Sequence, residues 1–332
     1  MTAPAKQATL APLAAQSRRQ RRILLILLVA AVGLVIAFCT FKITGNWEYA
    51  VRLRSRKVAA MIVVGAAIAY SSVLFQTVTN NRILTPSIMG FDALFVLIQT
   101  AIVYFLGTLT LAQIDPRLMF IGQVLVMVVF ASALYRWLFG KQSQDLYVLV
   151  LVGVVFGAFF SSLSALGARL IDPNDFITLQ DRFFASFNSV NTQLLAFSAV
   201  VMVAVGLWGL RLFRKLDVIA LGREHAVNLG VDYRRVVNQS LVIIAILVSI
   251  STALVGPITF LGLLVANLAR QMTGTFRHWI SVPAAMLIAI VTLVGGQLIL
   301  EHVFALNTAL SVIINFVGGV YFIVLLIRES RK

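Results

Sequence analysis

The chain has a single cysteine, Cys39, among 332 residues, so neither an intrachain disulfide nor a cysteine-built metal cluster is open to it. Charge is scarce as well. Only 12% of the residues are charged, where a soluble domain carries about a quarter. Acidic residues are the rarer sign, 12 against 27 lysines and arginines, leaving a formal charge of +15. No G-x-x-x-x-G-K-[ST] loop is present to cradle a nucleotide phosphate, and H-E-x-x-H, G-x-S-x-G and aspartate-rich metal–diphosphate motifs are all missing. His225, His278 and His302 fall in separate loops on two sides of the topology derived below, so they read as loop and interface histidines and not as a shared metal site. The sequence points away from resident metals, cofactors and bond-making chemistry.

What it has instead is long apolar runs. Hydrophobic residues make up 60% of the chain and the mean hydropathy is +0.97. Runs near the roughly 20 residues that cross a hydrocarbon core as a helix lie at 23–41, 58–79, 88–110, 118–138, 146–168, 193–213, 238–255, 258–270, 280–300 and 309–327. They show no sustained alternation and are too long for barrel strands. The expectation is an all-α polytopic membrane protein with about ten transmembrane helices. A tail over 1–22, disordered through residue 17, precedes a single membrane domain over 23–332. Gly256-Pro257 divides one long apolar stretch and predicts a broken helix there. The first run does not read as a cleaved signal, because its core is long and no A-x-A-like site precedes Lys42. Phe38 is likewise too large for the position before a lipidated Cys39.

Basic residues orient the chain. Arg18, Arg19, Arg21 and Arg22 precede the first span, and Arg328, Arg331 and Lys332 follow the last. With ten spans both ends share one side, which collects most of the basic excess. Short basic loops stay in the cytoplasm, so both termini and 211–237 are expected there. The net charge then reflects topology and attraction to anionic membrane lipid; no basic soluble domain exists to bind nucleic acid. D-P-N-D at 172–175 reads as the cap of a short helix over 176–187 in preference to a calcium site. The few charges within spans, Asp92 and Arg169 among them, fall near span ends. An ion-coupled secondary transporter of a small solute, the alternative class, would need a carboxylate near mid-bilayer and often shows an internal repeat; neither is read here.

One internal stretch, R-L-F-R-K-L-D-V-I-A-L-G-R-E-H-A-V-N-L-G-V-D-Y-R-R at 211–235, is far too polar for lipid. It still keeps a helical apolar rhythm at Leu216, Ile219, Ala220, Ala226, Val227 and Leu229. Such an insert is expected to meet a soluble partner. A helix lying on lipid shares that rhythm, but Asp217, Glu224 and Asp232 argue against pure lipid contact.

Four segments occur in a telling order. R-S-R-K at 54–57 is followed by Gln76 and N-R-I-L-T-P-S-I-M-G at 81–90; then come L-G-R-E-H-A-V-N-L-G at 221–230, G-P-I-T-F-L-G-L-L-V-A-N-L-A-R at 256–270 and G-G-V-Y-F-I-V-L-L-I-R at 318–328. Together they resemble the FecCD family of ABC-transporter permeases, over nearly the whole chain from about residue 20. The resemblance implies a BtuC-like fold in a bacterial inner membrane and import of a ferric siderophore or related chelate by alternating access. It also implies separate ATPase subunits, a second permease chain as homo- or heterodimer, and a periplasmic or lipid-anchored binding protein.

It further implies roles for particular residues. Coupling helices over about 214–235 would seat in the ATPase, with Leu221, Gly222, Ala226, Leu229 and Gly230 on the family pattern L-G-E-x-x-A-x-x-L-G. Arg223 stands in place of the usual acid, and Glu224 follows it. Arg54 and Lys57 occupy the positions where family arginines receive glutamates of the binding protein; Arg52 and Arg56 are further candidates, and Glu301 stands where a third arginine is found. Ser161, Ser162 and Ser164 on the fifth span, Asn315 on the tenth and Asn81 at the end of the second fall where the family lines or gates its channel. Serine and asparagine in spans also serve as ordinary helix–helix contacts. Gly153 and Gly157 suit tight packing. Ala266-Asn267 and Val320 depart from the family's P-H and proline, as a divergent branch would.

Overall fold

A computed structural model describes residues 5–42, 46–140, 146–188, 190–302 and 309–329. The described chain is helical throughout. α1 (Ala5–Thr40) and α2 (Trp47–Val78) are followed by a 3-10 turn at Pro86–Met89 and by α3 (Phe91–Gln113), α4 (Pro116–Gly140) and α5 (Leu146–Leu170). The short α6 (Pro173–Asp181) leads to α7 (Thr192–Leu210), and two short helices follow, α8 (Phe213–Ile219) and α9 (Arg223–Asn228). The chain ends with α10 (Tyr233–Val255), α11 (Leu261–Thr273), α12 (His278–His302) and α13 (Leu310–Glu329).

Eight of these, α1–α5, α7, α10 and α12, are long and apolar enough to cross a membrane. Of the other two expected spans, α13 is a 20-residue helix and α11 is the short one. α11 has 13 residues. α11 starts late for a local reason. Gly256 takes φ 97 and ψ 175, Pro257 has no amide hydrogen, and the chain stays non-helical until Leu261. A β-carbon on Gly256 would also lie 3.0 Å from the Ala185 Cα, so the break is sealed by the loop before α7. Ser186 N–H donates to the Val255 carbonyl there at 2.8 Å.

Two local readings change. Composition predicts a disordered tail through residue 17, but α1 already begins at Ala5, in a stretch rich in the strongest helix former. The cap at Asp172 is as expected, accepting Asn174 N–H at 2.9 Å, yet the helix it starts is Pro173–Asp181 and not 176–187. Proline at the first helical position explains the earlier start.

The centre of the bundle is α2, α10 and α12. The most apolar stretches of α2 and α10 are 72% buried, against 17% for α1 and α5, so the latter helices form the periphery. Lipid is as apolar as leucine, so helices associate by close packing and hydrogen bonds more than by hydrophobic burial. Gly153 and Gly157 serve that end: a β-carbon on Gly153 would lie 3.0 Å from the Met89 Cα, and one on Gly90 would meet Gly157 at the same distance. The tight face of α5 thus holds the 3-10 turn. α2 and α12 run antiparallel and define two ends of the bundle. Thr77, Asp217 and His278 meet at one end, where α8 and α9 lie; Lys57, Glu301 and His302 meet at the other.

Candidate functional site

The α8–α9 segment is built as two helices joined by a turn that only glycine fits. α8 buries Phe213, Leu216 and Ile219, and Ala226 of α9 is fully buried. Gly222 has φ 105 and ψ 160, a conformation reached almost only by glycine. α9 ends in a Schellman motif: Gly230 (φ 77) donates to the Val227 carbonyl at 2.9 Å and Val231 to the Ala226 carbonyl at 3.0 Å. Asp232 then caps α10, accepting Arg235 N–H at 3.1 Å. Because Ala226 faces inward, Leu221, Val227 and Leu229 face out, at 61%, 54% and 64% exposure. Among the described residues, none beyond the chain neighbours lies within 4 Å of where a β-carbon would sit on Gly222 or Gly230. These glycines therefore answer to backbone shape and leave open space around the apolar patch. Arg223 and Glu224 are exposed, with the Arg223 guanidinium 5.9 Å from the Tyr233 ring.

At the opposite end the four basic candidates divide. Arg54 donates to the Phe41 carbonyl at 2.6 Å and the Phe38 carbonyl at 3.1 Å, and lies 3.4 Å from His302 Nε2. It closes the C-terminus of α1, where carbonyls lack helical partners. Lys57 pairs with Glu301 at 3.0 Å, the two side chains only 17% and 25% exposed, and Glu301 also accepts Gln297 Nε2. Arg52 and Arg56 remain exposed; Arg52 pairs with Glu48, one turn away on the surface. The two residues expected as docking cations are thus engaged inside the chain, and the two further candidates are the accessible ones.

The span serines and asparagine converge in part. A cavity of about 1020 Å³ is lined by Ser161 and Ser164 of α5, Asn315 of α13, Thr259 at the α10–α11 break, Ser87 of the 3-10 turn and Asp92 at the start of α3. Ser162 does not line it; its hydroxyl returns to the Ala158 carbonyl. Neither does Asn81, which is exposed and accepts Ile83 N–H at 2.9 Å in the turn after α2. A second cavity of about 1060 Å³ lies beside the same break, with Gln99, Gln123, Arg182 and Asn191 on its wall. Arg182 donates to Gln99 Oε1 at 3.1 Å, and burial pulls its guanidinium below the ordinary arginine range.

Asp92 is the residue the sequence reading misplaced. It is expected near a span end in reach of the interface. In the fold, the segment 80–90 re-enters the bundle and sets Asp92 against Thr259, whose hydroxyl donates to Oδ2 at 2.8 Å. Oδ1 is sealed from solvent with no hydrogen-bond partner among the described residues. The position in the first turn of α3 also suits a negative charge. A buried carboxylate therefore exists, and its supposed absence does not argue against ion coupling. His278 is likewise no loop histidine: it is the first residue of α12 and 1% exposed.

Helices sufficient for a multi-pass membrane protein, a cavity between them with a few polar side chains on its wall, and an exposed apolar patch on a short helical pair suit a transport permease. The FecCD transport family matches residues 22–328, and the chain belongs to that family. It is 48% identical over 317 residues to the petrobactin import system permease protein YclO of Bacillus subtilis (strain 168), covering 95% of this chain and 99% of that one. It is 36% identical to the petrobactin import system permease protein FatC of Bacillus anthracis, over 84% of this chain and 79% of that one. Among solved structures, one described as a metal-chelate type ABC transporter in an inward-facing conformation superposes with a TM-score of 0.80 at 21% identity, over 92% of this chain and 99% of that one. That likeness carries the fold.

Proposed function

We propose that the chain is the permease subunit of a binding-protein-dependent ABC importer that moves a ferric siderophore into the cytoplasm, petrobactin being the first cargo to test. The observation that carries this reading is the exposed apolar surface of Leu221, Val227 and Leu229 on α8–α9, in a family member whose own sequence has no nucleotide-binding loop. An apolar patch rimmed by charge is suited to a protein partner, and the partner here is a separate ATPase. The end of the bundle that bears α8–α9 then faces the cytoplasm of a bacterial inner membrane, with both termini on that side and the single membrane domain over 23–332. Arg52 and Arg56 at the far end receive acidic groups of a periplasmic or lipid-anchored binding protein. The cavity at Ser161, Ser164 and Asn315 opens toward a second permease chain and forms part of the pathway between the two. Two relatives are petrobactin import system permease proteins by name, which supports the choice of iron chelate.

The test is copurification joined to uptake. A tagged chain in cells that carry the full system is expected to recover an ATPase, and radio-iron supplied as ferric petrobactin is expected to accumulate. Replacing 221–230 by a Gly-Ser linker should abolish both. Uptake that survives the replacement, with no ATPase recovered on the unmodified chain, would sink the proposal.

A further inference from the structure

Asp217, His278 and Thr77 form a hydrogen-bonded chain across three helices, and no role given above uses it. Asp217 lies on α8, the helix that carries the exposed α8–α9 patch. Its Oδ1 accepts the His278 backbone N–H at 2.8 Å and stands 2.6 Å from His278 Nδ1. His278 Nε2 lies 2.9 Å from the Thr77 hydroxyl in the last turn of α2, and that hydroxyl is 2.9 Å from the Val73 carbonyl.

The proton arrangement is constrained. A carboxylate oxygen at 2.6 Å makes Nδ1 the donor. The Thr77 hydroxyl has one hydrogen. If Val73 takes it, Nε2–H donates to Thr77 and the imidazole is charged; if Nε2 takes it, the imidazole is neutral. Both states keep α8 tied to α2 through the ring. Asp217 also caps α12 from another helix, placing negative charge where first-turn amides are unpaired. The ring is 1% exposed and packs beside Phe213 of α8, with centroids 5.8 Å apart, and Phe213 in turn packs beside Trp279 and Tyr70.

We infer that His278 is a positioning residue that converts movement of α8 into movement of α2 and α12, the two antiparallel helices running the length of the bundle. The inference rests on the proposed ATPase contact at α8–α9. α8 itself is seven residues long, too short to hold its orientation alone. A push on it reaches the centre of the bundle only through what it is fastened to. Hydrophobic contacts can slide, whereas a hydrogen-bonded chain with a carboxylate at one end and a buried His278–Thr77 link at the other fixes distance and direction.

The experiment uses the complete importer recovered on a tagged permease, with three readouts: ATPase recovered, ATP hydrolysed, and radio-iron taken up as ferric petrobactin. Thr77→Val removes the hydroxyl at nearly constant volume. His278→Asn keeps a donor near Nδ1 but does not reach Thr77. Both should retain the ATPase and its hydrolysis while uptake per ATP hydrolysed falls about tenfold, the factor that goes with losing one buried hydrogen bond from a two-state element. The double variant should be no worse than the more severe single one, since both cut the same link.

Hydrolysis and uptake falling in proportion, or an undisturbed ratio in Thr77→Val, would overturn the inference. Should His278→Asn not accumulate, Thr77→Val decides alone. Leu229→Glu serves as the separate control on the surface patch. If it still recovers the ATPase, the coupling reading beneath the inference fails. If it loses the ATPase while the Thr77→Val ratio is undisturbed, only the clamp fails.

Discussion

Gly222 and Gly230 look alike in sequence, each following a leucine, but they do different work. Gly230 sits in the left-handed region that ends α9, which asparagine also adopts. Gly222, at φ 105 and ψ 160, sits where side chains of any kind are strained. Gly230→Asn should therefore cost at most about 1 kcal/mol. Gly222→Asn should cost about 1–3 kcal/mol. Thermal unfolding of the detergent-purified permease measures both, and equal losses would contradict the assignment. The pair was legible in the sequence because glycine beside a charged, helix-patterned run signals a turn. Asp92 was not legible. Its chain neighbours 88–110 read as an ordinary span, and only the re-entry of 80–90 brings it against Thr259, 167 residues away.

At the scale of elements, α7 docks on α2 through one buried tyrosine. Tyr70 Oη donates to the Gly206 carbonyl at 3.1 Å, and a β-carbon on Gly209 would lie 2.2 Å from that oxygen. Gly209→Ala should displace the ring and break the bond, at about 1–3 kcal/mol. Gly206→Ala has nothing within 4 Å and should be neutral or gain up to about 1 kcal/mol from helix propensity. The difference in melting temperature between the two variants measures this docking; a null difference would mean that α7 is held elsewhere. Helices as such were readable from hydropathy, and so was the Gly256-Pro257 break. Which helices are central was not. α1 is the most hydropathic candidate span yet sits on the rim, because a peripheral helix shows apolar residues to lipid on its outer side while α2 and α10 can bury serine and threonine.

For the whole molecule, the two ends make separate demands on charge. Arg54 and Lys57 are engaged by backbone carbonyls and by Glu301, and Arg52 and Arg56 are exposed at the same end. Arg52→Glu with Arg56→Glu should lower uptake at limiting binding protein about tenfold or more, chiefly through slower, salt-sensitive association, with the melting temperature unchanged. Arg54→Ala should instead lower the melting temperature by removing the donor that closes α1, at about 1–3 kcal/mol. Uptake assays at two ionic strengths alongside melts separate these outcomes. If Arg54→Ala alone abolished binding-protein contact with no change in stability, the division would be reversed.

Membrane class, helical content, the polar α8–α9 insert and family membership were all determined by sequence, since each rests on local composition, spacing or an ordered motif. The tertiary structure alone decided which polar residues meet. It joined Lys57 to Glu301 across 244 positions, Asp217 to His278 across 61, and Ser161, Ser164 and Asn315 around one cavity. It left Ser162 and Asn81 elsewhere. The physical reason is that hydropathy is a property of a window along the chain, whereas burial, ion pairing and cavity lining are properties of the distance between helices. In a bilayer that distance is set by small residues and hydrogen bonds, which a one-dimensional apolar pattern does not record.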